Sequence, residues 1–125
     1  MEKEFVPYEQ ALALKELGFD EKCGACYYKK FDNAIGYHKV YRDFNFVQLT
    51  VSAPTFSQAF RFFREKYGLH YIICKNIQMD GYGYREVILI PYMEENENTI
   101  FKTYEEAELA CIKKLIEISK EQNVK

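Results

Sequence analysis

The chain has 125 residues, 48% hydrophobic and 29% charged, a balance that fits one folded domain over 1–125 and excludes a disordered chain. A net charge of −2 gives no global pull toward nucleic acid, whose non-specific binding rests on Lys and Arg neutralising phosphates, so nucleic acid is a disfavoured partner. Aromatic residues reach 17%, as 11 Tyr and 10 Phe with no Trp, and that many phenols exceed what a small core satisfies, so several are expected at a surface or interface.

The opening MEKEFVPYEQ carries acidic groups and no apolar run. No secretory signal is therefore expected, and no stretch approaches the roughly 18 consecutive apolar residues of a membrane span. The expected location is the cytoplasm, with no membrane partner, and the four cysteines then read as reduced thiols.

A first helix is expected from about Pro7 to Leu17, with Glu9 in its first turn and Gly18 as its stop. If Gly18 is left-handed, Phe19 folds back on Leu14. From Cys23 to Val51 the pattern turns extended. Ala25–Phe31 and Tyr37–Arg42 read as strands separated by the turn formers Asp32, Asn33 and Gly36. Asp43 and Asn45 offer a further turn, and Val47, Leu49 and Val51 alternate with Gln48 and Thr50 as a strand with one wet face.

The central helix is the clearest element. Thr55 and Gln58 form a capping-box pair, Pro54 disfavours helix before it, and Gly68 suits its left-handed end. Phe56, Ala59, Phe60, Phe63 and Tyr67 fall on one core stripe. Phe62 lies off that stripe, between Gln58 and Lys66, with Arg61 and Arg64 on other flanks. Two readings stand: a second element covers Phe62, or Phe62 is a partner-binding anchor flanked by arginines.

Leu69–Gln78 reads as a strand, Asp80-Gly81 as a hairpin signal within a connection spanning Met79 to Gly83, and Tyr84–Ile90 as the return strand before Pro91. Glu94–Asn98 reads as an exposed loop. The last helix starts at Thr103, with Glu106 completing a second capping box. Tyr104, Ala107, Cys111, Leu115 and Ile118 form its main stripe, widened by Ile112 and Ile116.

Few residues invite chemistry. Cys23-Gly24-Ala25-Cys26 is a C-x-x-C, but it precedes a strand, and the other thiols, Cys74 and Cys111, are isolated, so structural thiols are expected rather than a metal or redox site. His38 and His70 each lack a local acid or nucleophile arranged as a general-base system. No phosphate loop, dinucleotide fingerprint, nucleophile elbow or metalloprotease motif is present in the sequence, so neither enzymatic activity nor a cofactor is expected. Glu108 falls inside the apolar arc of the last helix and calls for a donor, with Arg61 or Arg64 first; it is read as an ion pair or a helix-rim residue reaching water, or else as a ligand contact. Tyr27, Tyr28, Tyr37, Tyr41, Tyr71 and Tyr84 sit in expected strands and Tyr82 in the hairpin turn. With Lys29, Lys30, Lys39, Arg42 and Arg85 they offer only modest basic interleaving for base stacking, so core and oligomer-interface packing is the better account.

Three segments, EFVPYEQALALKELGFDE, APTFSQAFRFFREKYGL and TYEEAELACIKKLIEI, resemble a group of small uncharacterised proteins encoded by phages and mobile elements of gut Bacteroides-type bacteria. The resemblance covers the three helices. Similar proteins tend to carry Trp where Phe62 stands and one cysteine near Cys23 followed by an aromatic, so Cys26 is a departure. The resemblance implies an accessory protein in the cytoplasm of a bacterial host, acting on host machinery.

The expected fold is α+β, in the order α-β-β-β-α-β-β-α, with helices packed on antiparallel sheet. The expected function is non-catalytic binding of a host or phage protein, as an accessory or counter-defence factor, with homo-oligomerisation plausible. The alternative is a small-ligand binder of nucleotide type, using sheet tyrosines and arginine. The residues singled out for binding are Phe62, Arg61, Arg64, Glu108, Tyr71 and Tyr84.

Overall fold

A computed structural model of the chain describes residues 4–76, 80–86 and 100–124. Helix α1 (Tyr8–Glu16) leads to β1 (Cys23–Tyr28), β2 (Ala34–Arg42) and β3 (Thr50–Ser52); helix α2 (Phe56–Tyr67), β4 (Tyr71–Asn76), β5 (Gly81–Glu86) and helix α3 (Tyr104–Val124) follow. The fold is α+β and the order is the one expected. The strands form two antiparallel sheets, β2-β1-β3 and β4-β5. Helix α3 joins them, packing on β4 and β5 and against α1 and α2, while α1 lies on β3.

Each helix end has a local cause. Pro7 sits at the cap of α1, one position before the expected one, and its carbonyl accepts from the Ala11 N–H at 2.8 Å. Gly18 takes φ +94°, and the Phe19 and Gly18 N–H groups donate to the Leu14 and Lys15 carbonyls at 2.9 and 3.0 Å. That paired pattern closes the helix and buries Phe19. At α2 both halves of the capping box form: Thr55 Oγ1 accepts from the Gln58 N–H, and Gln58 Oε1 from the Thr55 N–H. Such a cap stabilises a helix by about 1 kcal/mol. Gly68 ends α2 at φ +67°. At α3, Thr103 Oγ1 accepts from the Glu106 N–H at 3.1 Å.

The three-stranded sheet departs from regularity where it matters. Asp32 and Asn33 turn the chain with positive φ, and β2 begins at Ala34, earlier than its polarity suggests. Between the Cys23–Arg42 and Ala25–Tyr37 pairs, Gly24 alone on β1 faces His38, Lys39, Val40 and Tyr41 on β2. The surplus makes β2 bulge outward. At two glycines, Gly24 opposite the bulge and Gly36 beside it, a tyrosine ring lies so close across the backbone that any side chain would make the ring shift. A Cβ on Gly24 would meet the Tyr41 ring at 2.7 Å, and one on Gly36 would meet the Tyr28 ring at 2.6 Å.

The strand expected over Val47–Val51 is not formed as such; only Thr50–Ser52 pair, and Phe44–Phe46 is a 3₁₀ turn. Side chains hold that turn. Asp43 accepts from the Asn45 N–H at 2.9 Å, Asn45 donates to the Phe19 carbonyl and accepts from the Ser52 N–H, each at 2.9 Å, and Thr50 Oγ1 donates to the Phe44 carbonyl at 2.7 Å. Leu49 is driven to φ +65°, and Val47 and Leu49 face outward.

In the hairpin, Asn76 pairs with Gly81 and Cys74 with Gly83, so Gly81 and Gly83 are strand residues rather than part of the connection. Tyr82 bridges Phe101, tying the approach to α3 onto β5. Pro91 and Glu94–Asn98 lie outside the described residues, as does the expected end of the return strand beyond Glu86. The core takes Ala11 and Leu14 from α1 and Leu17 just after it, Phe56, Ala59 and Phe63 from α2, and Cys111, Ile112 and Leu115 from α3.

Candidate functional site

The face of α2 off the core stripe is occupied within the chain, and the contact patch expected there is corrected accordingly. Phe62 is 6% exposed. Its ring meets Phe19 edge-on at 5.4 Å, and the Lys66 ammonium sits 5.6 Å from its centroid. Lys66 Nζ also donates to the Leu17 carbonyl at 2.6 Å, a cation at the C-terminal end of α1. Arg61 pairs with Glu21, and Gln58 Nε2 donates to the Lys22 carbonyl at 2.9 Å. Gln58, Arg61, Phe62 and Lys66 thus form a second helical stripe, and the segment from Leu17 to Lys22 is docked along it. Phe62 is therefore not an exposed partner anchor, while Arg61 stays half-exposed in its pair with Glu21.

Arg64 points elsewhere. It lines an open cleft of about 370 Å³ with Ser57, Phe60, Tyr71, Ile72, Ile73, Tyr104 and Glu108. A second hollow of about 410 Å³ adjoins it through Ser57, Tyr104 and Glu108, and adds Glu4 and Glu105. Three residues singled out from the sequence, Arg64, Tyr71 and Glu108, therefore converge between α2, α3 and β4. The ion pair expected from Glu108 to Arg61 or Arg64 is not formed. Arg61 is turned toward Glu21, and the described residues hold no ion pair between Arg64 and Glu108. Partial burial, and after it the Glu105 carboxylate, push the Glu108 carboxyl above its ordinary value. Burial also pushes the Tyr104 hydroxyl up, followed by the Glu108 and Glu105 charges.

Tyr71 and Tyr84 do not form an exposed stacking platform. Both are buried, their ring centroids 6.2 Å apart, and Tyr84 stacks on Phe101 at 6.5 Å. Tyr27 is buried as well, its hydroxyl donating to the Val6 carbonyl at 2.5 Å. Among the described residues, the exposed tyrosines are instead Tyr37, Tyr41 and Tyr104.

A second surface emerges on the other sheet. Among the described residues, nine large apolar side chains are exposed, and seven of them, Phe31, Tyr37, Val40, Tyr41, Phe46, Val47 and Leu49, fall between positions 31 and 49; the other two are Ile72 and Tyr104. Val40 is 70% exposed, Phe46 90% and Leu49 62%. Between the β2 bulge and the 3₁₀ turn runs an open groove of about 470 Å³ lined by Tyr28, His38, Lys39, Val40, Arg42, Phe44, Val47 and Thr50. Its floor is closed by a polar contact: Tyr28 Oη and His38 Nε2 are 2.7 Å apart, with Cys26 Sγ 3.5 Å from the same nitrogen. The His38 ring lies 4.7 Å from that of Phe44. Spacing along the chain hid this grouping. Tyr28 and His38 meet only across the β1–β2 ladder, and the one available signal was the glycine at position 36 that lets the Tyr28 ring cross.

The thiols are not poised for chemistry. Cys23, Cys26 and Cys111 are buried and all four cysteines are free. Burial pushes the Cys23 thiol up to about 12, outweighing the lowering by Ser52, and pushes Cys26 and Cys111 up as well. Among the described residues, no group of three or more His, Cys, Asp and Glu side chains is placed to hold a metal ion. No described helix is long and apolar enough to cross a membrane. No family model, curated protein or solved structure matches the chain.

Proposed function

We propose that this chain is a non-catalytic protein-binding module whose contact surface is the β2 face and its groove. The observation that carries the reading is the concentration of exposed large apolar side chains between Phe31 and Leu49 around one groove. A monomer surface rarely exposes this many large apolar side chains from one short stretch without a use for them, and aromatic anchors dominate protein contacts. The resemblance to proteins of phages and mobile elements makes the partner a bacterial host protein and the role that of an accessory or counter-defence factor.

A second reading rests on a separate observation. The cleft between α2, α3 and β4 gathers an arginine, two tyrosines and a carboxylate, and such a mix suits a small polar ligand of nucleotide type. Native mass spectrometry of the chain purified from bacterial cells separates the two. A retained protein that is lost on Val47→Asp supports the first reading. A retained nucleotide that is lost on Arg64→Ala, with no protein partner, overturns it in favour of the second.

A further inference from the structure

The groove on the β2 face has a floor that asks for nothing polar. Tyr28 and His38 satisfy one another at 2.7 Å, and the Thr50 hydroxyl donates to the Phe44 carbonyl at 2.7 Å. Val40 and Val47 supply aliphatic walls, while Lys39 and Arg42 stand at the lip. An apolar side chain entering between the valines displaces neither of these hydrogen bonds, and the charged partners for a polar group stand at the lip.

The charge around the groove selects further. The segment 29–43 carries Lys29, Lys30, Lys39 and Arg42 against Asp32 and Asp43, in a chain where 19 Asp and Glu outnumber 17 Lys and Arg. The Asp43 carboxylate keeps its charge but accepts from the Asn45 N–H within the turn, and the charged side chains that line the groove are Lys39 and Arg42. Lys29 is held beside the groove's turn, since its N–H donates to the Leu49 carbonyl at 3.1 Å. The site is therefore a cationic rim on a net acidic protein, and rim charges of one sign favour partners of the other. A second copy is disfavoured, because a two-fold contact would set Lys39 and Arg42 against themselves. Nucleic acid is disfavoured by the aliphatic walls of the groove, since the exposed rings Phe31, Tyr41 and Phe46 lie outside its lining, and the Tyr37 ring is packed on Phe5 at 5.5 Å.

Resting on the protein-binding reading above, we infer that the groove takes an acidic, apolar segment of its partner. One or two aliphatic or aromatic side chains seat between Val40 and Val47, and adjacent aspartates or glutamates meet Lys39 and Arg42.

The test is selection of a displayed library of random 12-residue peptides on the full chain, followed by titration of the selected peptides against variants. The expected result is peptides carrying Asp or Glu beside large apolar residues, weakened at least tenfold by Val47→Asp. The double reversal Lys39→Glu, Arg42→Glu should weaken them at least tenfold, and reselection on that variant should give basic peptides. All these positions are exposed, and thermal melts check that each variant folds. Peptides lost on Val47→Asp but indifferent to the reversal, without acidic bias, would overturn the chemistry assigned to the occupant and leave the protein-binding reading standing. No selected peptides, or peptides indifferent to Val47→Asp, would overturn both. Dimerisation of the chain alone that Val47→Asp abolishes would assign the groove to a second copy. Binding of a single-stranded 12-nucleotide oligomer, lost on the double reversal, would assign it to nucleic acid; either outcome contradicts the inference.

Discussion

Helix α2 sets Phe62 beside Arg61 and Lys66; strand β2 sets Val40 and Tyr41 beside Lys39 and Arg42. The two combinations read alike, an apolar ring or branch flanked by cations, yet they do opposite work. On α2 each group has an intrachain partner: Phe19 for the ring, Glu21 for Arg61, the Leu17 carbonyl for Lys66. On β2 no neighbouring segment among the described residues covers the bulge, so Val40 and Tyr41 remain exposed, the Tyr41 ring lying over Gly24, and the cations stand at an open groove. Side-chain type does not separate an interface from a scaffold. What separates them is whether a neighbouring segment lies across the face, and here the Leu17–Lys22 connection lies across one face only.

The largest effect expected from this contrast is on Phe62. Its truncation in Phe62→Ala should cost about 3–5 kcal/mol of stability, as for a buried Phe, read by urea unfolding. A loss below about 1 kcal/mol would mean that the outer face of α2 is not structural after all. Next is Asn45→Ala, which strips side-chain partners from the Phe19 carbonyl and the Ser52 N–H. About 1–3 kcal/mol should be lost. Because the same turn forms one wall of the groove, partner binding should weaken in parallel; unaltered binding would detach the turn from the site. Val47→Asp should then change stability by no more than about 0.5 kcal/mol while removing binding, the reverse of the Phe62 result.

The smallest effect concerns Glu108 and the competing cleft. Its folded carboxyl lies above the ordinary 4.5, so the folded state holds that proton more tightly than the unfolded state. Stability from this group is therefore greatest at low pH and declines as pH rises from the ordinary value through the raised one. Glu108→Gln should remove that decline from the pH profile of thermal unfolding, with little change at acid pH. A profile identical to the unsubstituted chain would show Glu108 to be solvated like any surface carboxylate.

The parts legible in sequence were those that local chemistry determines. Thr55 with Gln58, and Gly18 followed by Phe19, set helix ends through bonds that span only a few residues. The core stripe of α2 needed only the helical period. That a second element covers Phe62 was one of the two readings open from sequence, but which segment does so was not legible, because Phe19 lies 43 positions earlier and nothing local links the two. The groove was hidden twice over. Val47, Leu49 and Val51 imitate a half-wet strand, while Asn45, bonded to Phe19 and Ser52, imposes a turn that turns Val47 and Leu49 outward. The bulge that exposes Val40 depends on a four-against-one mismatch opposite Gly24, which no spacing along one strand announces.

The most direct measurement is hydrogen–deuterium exchange of the full chain with and without a bound partner protein or selected peptide. The account predicts new protection across 38–47, with exchange in α2 unchanged. Protection confined to the segments lining the α2–α3–β4 cleft, with 38–47 unaffected, would contradict it.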